Sequence, residues 1–174
     1  KLSSSSAASD VYKRQGSKLV EPLSGAFDKD KLTLEVKDIA KLDSSAMTLD
    51  DTDTIITAVN KELQRDDVDG VVVTHGTDSM EETAIAVDTF QDSDKPVALT
   101  GAMRPFDDPD PDGPDNLALA VKTVTDPSNK GRGTFIAFAD HVIPARGAFK
   151  SDTTKADGFA NNNGKKQPQR PKAL

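Results

Sequence analysis

Three short apolar runs constrain the fold of this chain more than any other feature. DGVVVTHG (Asp69 to Gly76), KPVALTG (Lys95 to Gly101) and GTFIAFAD (Gly133 to Asp140) each hold a run short enough for a buried strand. Between them the period changes. Met80, Ala84 and Val87 fall on one helical face, and so do Leu117, Val121 and Val124. Ahead of the first run, Thr48 is placed to cap a helix, with Asp51 at its third position and Ile55, Ile56, Val59 and Leu63 as its apolar stripe. LTLEVK (Leu32 to Lys37) alternates apolar and polar residues and reads as one more, half-buried strand. Strands alternating with helices pair in parallel through right-handed crossovers, so the expected class is α/β, an open parallel sheet flanked by helices.

The composition narrows the possibilities. With 174 residues, 35% of them hydrophobic, the chain supports one domain with an ordinary core. Lys and Arg number 22 against 29 Asp and Glu, a net charge of -7. That sign argues against nucleic acid or an anionic membrane as partner. There is no cysteine and only two histidines, His75 and His141, so no disulfide and no metal-ligand spacing exists. No apolar run approaches the roughly 20 residues of a membrane helix. The redox compartment stays open, with a cytoplasmic location as the expectation.

KLSSSSAASDVYKRQ, residues 1–15, has no initiator methionine, no apolar signal core and no periodicity, and it reads as a non-native or disordered addition. Residues 161–174 turn polar and basic and read as a linker or frayed tail. The domain is therefore expected over 16–160.

In open α/β sheets ligands sit beyond the carboxyl ends of the strands. Thr74 to Asp78 lies at such an end, where a strand meets the start of a helix whose N–H groups favour an anion. Thr77 offers a hydroxyl and Asp78 an acceptor. Taken alone they are caps, with Asp78 and Glu81 in capping-box spacing, Glu81 and Glu82 serving the helix dipole, and His75 as a hydrogen-bonded strand-end residue. Other strand ends converge on the same edge. DSSAM (Asp43 to Met47) supplies Ser44 and Ser45, LTGAMRP supplies Arg104, and ARGAFKSDTT supplies Lys150. Each has a structural reading as turn residue, surface ion-pair partner or solvated charge. Together they make chemical sense, because a lysine held by an aspartate can relay a hydroxyl's proton once its pKa, ordinarily about 10.4, is lowered.

The stretch VVVTHGTDSMEETA closely resembles the active-site motif of bacterial L-asparaginases. LTGAMRP, DGPDNLALAV and DSSAM resemble further blocks of that family, and ARGAFKSD resembles the segment carrying its lysine four residues after an arginine, here Arg146 and Lys150. The resemblance covers roughly residues 16–159. It implies a Rossmann- or flavodoxin-like amino-terminal domain, with Thr77, Asp78 and Lys150 as the catalytic Thr–Lys–Asp group. It further implies that Asp78 holds the substrate's α-amino group and Ser44 its α-carboxylate. Ser45 stands where some members have glutamine, and the backbone at Ala102 would lie near the side-chain amide. Family members hydrolyse L-asparagine to aspartate and ammonia without metal or cofactor, usually as homotetramers.

The chain departs from the family in two places. The first strand with its TGGTI-like motif, whose threonine is usually assigned as the acyl-forming nucleophile, does not occur in the sequence. Nor does a counterpart of the smaller carboxyl-terminal domain. The expectation is an incomplete domain with an unpaired slot in its sheet, inactive by itself. Rival expectations are a glutaminase or mixed glutaminase-asparaginase, a tRNA-dependent amidotransferase subunit, and a non-catalytic amino-acid-binding module.

Overall fold

The computed structural model describes residues 2–3, 21, 23, 27 and 32–162. The stretch 1–15 apart from Leu2 and Ser3, and the tail beyond Asn162, lie outside them. Five strands form one sheet in chain order: β1 (Leu2–Ser3), β2 (Gly70–Thr74), β3 (Val97–Thr100), β4 (Thr134–Phe138) and β5 (His141–Pro144). The first four are mutually parallel and β5 returns antiparallel to β4. Among the described residues three helices cover the sheet: α1 (Leu49–Leu63), α2 (Met80–Phe90) and α3 (Gly113–Thr125). A separate ribbon of β6 (Ala148–Lys150) and β7 (Phe159–Asn161) closes the described chain.

Strand alternation decides which helix each side chain meets. Val71, Val73, Val97, Leu99, Ile136 and Phe138 join Ile55, Val59, Leu63, Met80, Ala84 and Val87 in one core, on the α1 and α2 side. Val72, Ala98 and Ala137 point the other way, onto Leu117, Ala120, Val121 and Val124 of α3. Both faces of the sheet are thus buried, which is why these strands read as continuous apolar runs. Each buried Val, Leu, Ile or Phe contributes about 1.5–3 kcal/mol, so the three-layer packing is the main stabilising term.

Local chemistry sets the helix limits. At α1 the expected Thr48 cap is present and forms a full capping box: Thr48 accepts from the Asp51 N–H at 3.3 Å, and the Asp51 carboxylate accepts from the Thr48 N–H at 2.9 Å. At its other end Lys95 Nζ donates to the carbonyls of Leu63 (2.9 Å) and Arg65, a cation where the helix dipole favours one. Pro114 sits in the first turn of α3, where its missing N–H costs no helix hydrogen bond.

Three expectations change. Leu32 to Lys37 forms no ladder among the described residues; Leu34 makes only an isolated bridge. Its alternation is satisfied otherwise, with Leu32 and Leu34 on the α3-side core and Glu35 and Lys37 in ion pairs with Arg65 and Glu62. Beside β2, where an unpaired slot was expected, Leu2 and Ser3 pair in parallel with Gly70 and Val71. An open strand edge presents unpaired N–H and C=O groups and takes whatever extended backbone reaches it. After β4, where an all-parallel sheet was expected, the chain turns straight back as an antiparallel hairpin. Ala139 and Asp140 have φ of 48° and 63°, a two-residue turn with both residues left-handed, too short for a parallel crossover. The sheet is therefore mixed, with a parallel body and one antiparallel edge.

Candidate active site

The carboxyl ends of β2 and β3 meet in close contact. A β-carbon on Gly101, just after β3, would lie 2.3 Å from the His75 carbonyl and 2.9 Å from the Met80 side chain, so only glycine fits against this bend. His75 is 3% exposed. Its Nδ1 faces the Gly76 carbonyl at 2.6 Å and its Nε2 faces the Thr83 hydroxyl at 3.0 Å. A carbonyl can only accept, so Nδ1 carries the proton and Nε2 accepts from Thr83. Burial holds this imidazole below its ordinary pKa, against smaller opposing contributions from the Gly76 carbonyl and the Glu82 charge. His75 is thus a neutral bracket that ties the strand end to α2.

From Gly76 the chain passes through a single 3-10 turn, Thr77–Ser79, before α2 begins. No side-chain cap closes that helix start. The expected capping box is not formed, and the reason is specific: both of its acids are used elsewhere. Asp78 Oδ1 accepts from Lys150 Nζ at 2.8 Å, and the Glu81 carboxylate accepts from the Lys150 backbone N–H. The same amine reaches Thr77 Oγ1 at 2.9 Å. Hydroxyl, amine and carboxylate therefore share one hydrogen-bonded chain, assembled across more than 70 residues. The lysine side chain is 12% exposed and the aspartate 55%, so the group is closed behind and open in front.

Ser44 joins from a 3-10 turn over Ser44–Ala46. Its hydroxyl accepts from the Asp78 N–H at 3.3 Å, and its carbonyl accepts from the Ser79 hydroxyl at 2.7 Å. Ser45 does not join: its hydroxyl and N–H both turn back onto Asp43, at 2.8 Å and 3.0 Å. Arg104 is a surface ion-pair partner of Asp110 at 2.7 Å. Arg146 lies 2.7 Å from the carboxylate of Asp88, which is buried. The loop after β3 is held by Asp112, which accepts from the N–H groups of Met103 and Arg104, and by Asn116, which donates to the Gly101 carbonyl. Sequence reasoning missed Glu81, Ser79 and Asp88 as contacts of this site. Their partners lie 35 to 69 residues away, and nothing local signals them.

Burial lifts the Glu81 carboxyl above its ordinary range, opposed by the Lys150 N–H it accepts and reinforced by the charge of Glu82. Among the described residues no cluster of three or more His, Asp or Glu stands close enough to hold a metal ion, and no helix is long and apolar enough to cross a membrane.

A hydroxyl, a lysine amine and an aspartate linked at the carboxyl edge of a parallel sheet can move a proton to and from a bound amide. The family model for the amino-terminal asparaginase domain matches residues 3–168. The chain belongs to the asparaginase family. Its amino-terminal limit falls inside the stretch 1–15 that the sequence reading set apart. L-asparaginase 2 of Bacillus subtilis is 48% identical over 101 residues, covering 58% of this chain and 27% of that protein. Glutaminase-asparaginase of Pseudomonas aeruginosa is 40% identical over 101 residues, 58% of this chain and 28% of its own length. The crystal structure of a probable cytoplasmic L-asparaginase from Campylobacter jejuni superposes with a TM-score of 0.84 at 33% identity, covering 92% of this chain and 50% of that one. The chain thus spans little more than a quarter of the two curated relatives and half of the solved one.

Proposed function

We propose that this asparaginase-family domain supplies the Thr–Lys–Asp part of an amidohydrolase site, and that the full-length protein hydrolyses L-asparagine to L-aspartate and ammonia. The observation that carries the reading is the Lys150 amine within 2.9 Å of Thr77 Oγ1 and 2.8 Å of Asp78 Oδ1. Amide hydrolysis needs a hydroxyl to attack the carbonyl, N–H donors to hold the oxyanion, and a proton for the departing ammonia. In this reading Thr77 and Lys150 carry the proton traffic and Asp78 anchors the amine. Asp78 also receives the substrate's α-ammonium, for which its exposed carboxylate is open. Ser44 directs its hydroxyl hydrogen to the α-carboxylate, since its oxygen already accepts from the Asp78 N–H. Ser45, folded onto Asp43, reaches the α-carboxylate only after leaving that partner. No metal or cofactor enters the scheme, and the partners are the amino acid itself and further copies of the chain in a homotetramer.

Glutamine is the second substrate to test, because one similar protein is named a glutaminase-asparaginase and one methylene is worth only about 1–3 kcal/mol in a pocket. Ammonia release from asparagine and from glutamine by the full-length protein tests both readings. Thr77→Ala is expected to lower kcat by roughly 10³ or more, the scale of losing a positioned proton carrier. Near-full activity in that variant removes Thr77 from the mechanism. The 174-residue chain alone is expected to release no ammonia above background.

A further inference from the structure

The segment that brings Lys150 to the bend is laid along α2. In the β6–β7 ribbon the hydrogen bonds fall on alternate residues: Ser151 N–H donates to the Gly158 carbonyl at 2.7 Å and Asn162 N–H to the Gly147 carbonyl at 2.9 Å. Lys150 pairs with Phe159 between them, at a position where the backbone N–H points out of the ribbon. No strand lies on that side of β6 among the described residues. The outward N–H is taken by the carboxylate of Glu81, in the first turn of α2. Seven residues on, two helical turns along the same face, the buried Asp88 meets Arg146 at 2.7 Å and also accepts from the Thr134 N–H at 2.9 Å.

We propose that Glu81 and Asp88 are positioning residues: one helix presents two carboxylates, two turns apart, that grip the 146–150 segment at both ends and set where the Lys150 amine stands. The two grips differ in kind. Asp88 engages a flexible side chain and is anchored on the sheet through Thr134, so it fixes the approach of the segment. Glu81 engages the backbone of the lysine itself, one residue's length from the amine it orients. The alternation of β6 sends the N–H one way in the plane of the ribbon while the side chain leaves its face, so a carboxylate on the N–H fixes the root of the side chain without competing for its amine. This inference rests on Lys150 being the proton carrier of the proposed site, but its test does not require turnover.

The test is competitive acylation of the folded 174-residue chain with a lysine-reactive ester, quantified at Lys150 by mass spectrometry against Lys122, which is exposed. Amide hydrogen exchange at Lys150 is read in parallel. Glu81→Ala is expected to raise Lys150 labelling and its amide exchange roughly tenfold, the equivalent of one lost hydrogen bond to a charged acceptor. Glu81→Gln keeps an acceptor oxygen and is expected to restore both. Asp88→Asn is expected to raise Lys150 labelling by a smaller factor. If Glu81→Ala unfolds by circular dichroism, Glu81→Met, which keeps the stem and lacks the acceptor, replaces it. Equal Lys150 labelling in the acceptor-free variant, the Gln variant and the wild type overturns the proposal. Failure of the amidohydrolase reading appears separately, as absent ammonia release from the full-length protein with Lys150 still protected.

Discussion

The bend at residues 74–80 and the ribbon at 148–161 hold the two halves of the same hydrogen-bonded group, yet they are built in opposite ways. Behind the bend everything is buried: Met80 at 0%, Thr100 at 1% and His75 at 3% exposure, with Gly101 packed against the His75 backbone. The ribbon is half-buried along β6; Phe159 joins the α1- and α2-side core, 5.1 Å from Phe138, with Ala148 packed beside it, and the carboxylates of Glu81 and Asp88 hold the 146–150 segment. Thr77 and Asp78 are therefore set at the edge of the main sheet, whereas Lys150 is delivered by a separate two-stranded ribbon. A hydrogen-bonded group split this way joins a hydroxyl and a carboxylate seated at the sheet edge to an amine carried by the ribbon.

The sharpest separation of the two halves comes from Lys150→Met in the full-length protein. Its kcat is expected to fall by roughly 10³, while stability in urea changes by only about 1 kcal/mol, since the methionine keeps the half-buried stem and the carboxylate left behind is 55% exposed. A loss of stability on the same scale as the loss of activity would merge the two regions into one cooperative unit. Phe159→Ala removes the aromatic anchor, nominally about 3–5 kcal/mol of packing. Here that loss is expected to appear as faster amide exchange confined to 146–161, with β2 and β3 unchanged. Met80→Ala, by contrast, opens a cavity under the bend and is expected to lower global stability by about 2–5 kcal/mol in urea unfolding, with every region affected alike.

The smallest effect is pH dependence at His75. Its folded pKa lies below the unfolded value of 6.5, because burial disfavours the charged ring. The unfolded chain therefore binds the proton first. The stabilisation is fully present above about pH 6.5 and is lost as pH falls through the unfolded value towards the depressed folded one. Comparing urea midpoints of the wild type and His75→Gln between pH 7.5 and about 5 is expected to show a shallower acid slope in the variant. Identical slopes would mean that the ring gains a proton in the fold without cost.

Much of the bend was legible in the chain. Thr77 and Asp78 stand at the carboxyl edge of the sheet because β2 runs into α2 there, as the short apolar runs announced. Ser44, by contrast, arrives from a 3-10 turn that directly follows no strand among the described residues. What misled was proximity in sequence. Asp78 and Glu81 stand in capping-box spacing, which is the lowest-cost use for them when nothing else is near. In the fold a lysine some 70 residues away takes both: its amine is a stronger partner for Asp78 than a backbone N–H of the helix start, and its own backbone N–H goes to Glu81. LTLEVK misled in the same manner: alternation is necessary for a half-buried strand, but a neighbouring strand must also be free to pair, and only the tertiary arrangement decides that.

By itself, then, the sequence determined the layered α/β class, the three core strands, the faces of the helices and the residue types gathered at one sheet edge. All of these follow from periodicity and turn chemistry, which act within a few residues. The tertiary structure alone decided that the sheet ends in an antiparallel hairpin, that Ser45 turns away while Ser44 joins, and that Asp78 and Glu81 go to the amine and the backbone of Lys150. Those outcomes depend on which distant groups arrive at hydrogen-bonding distance, and loop closure over dozens of residues leaves no local trace for a reader of the chain to find.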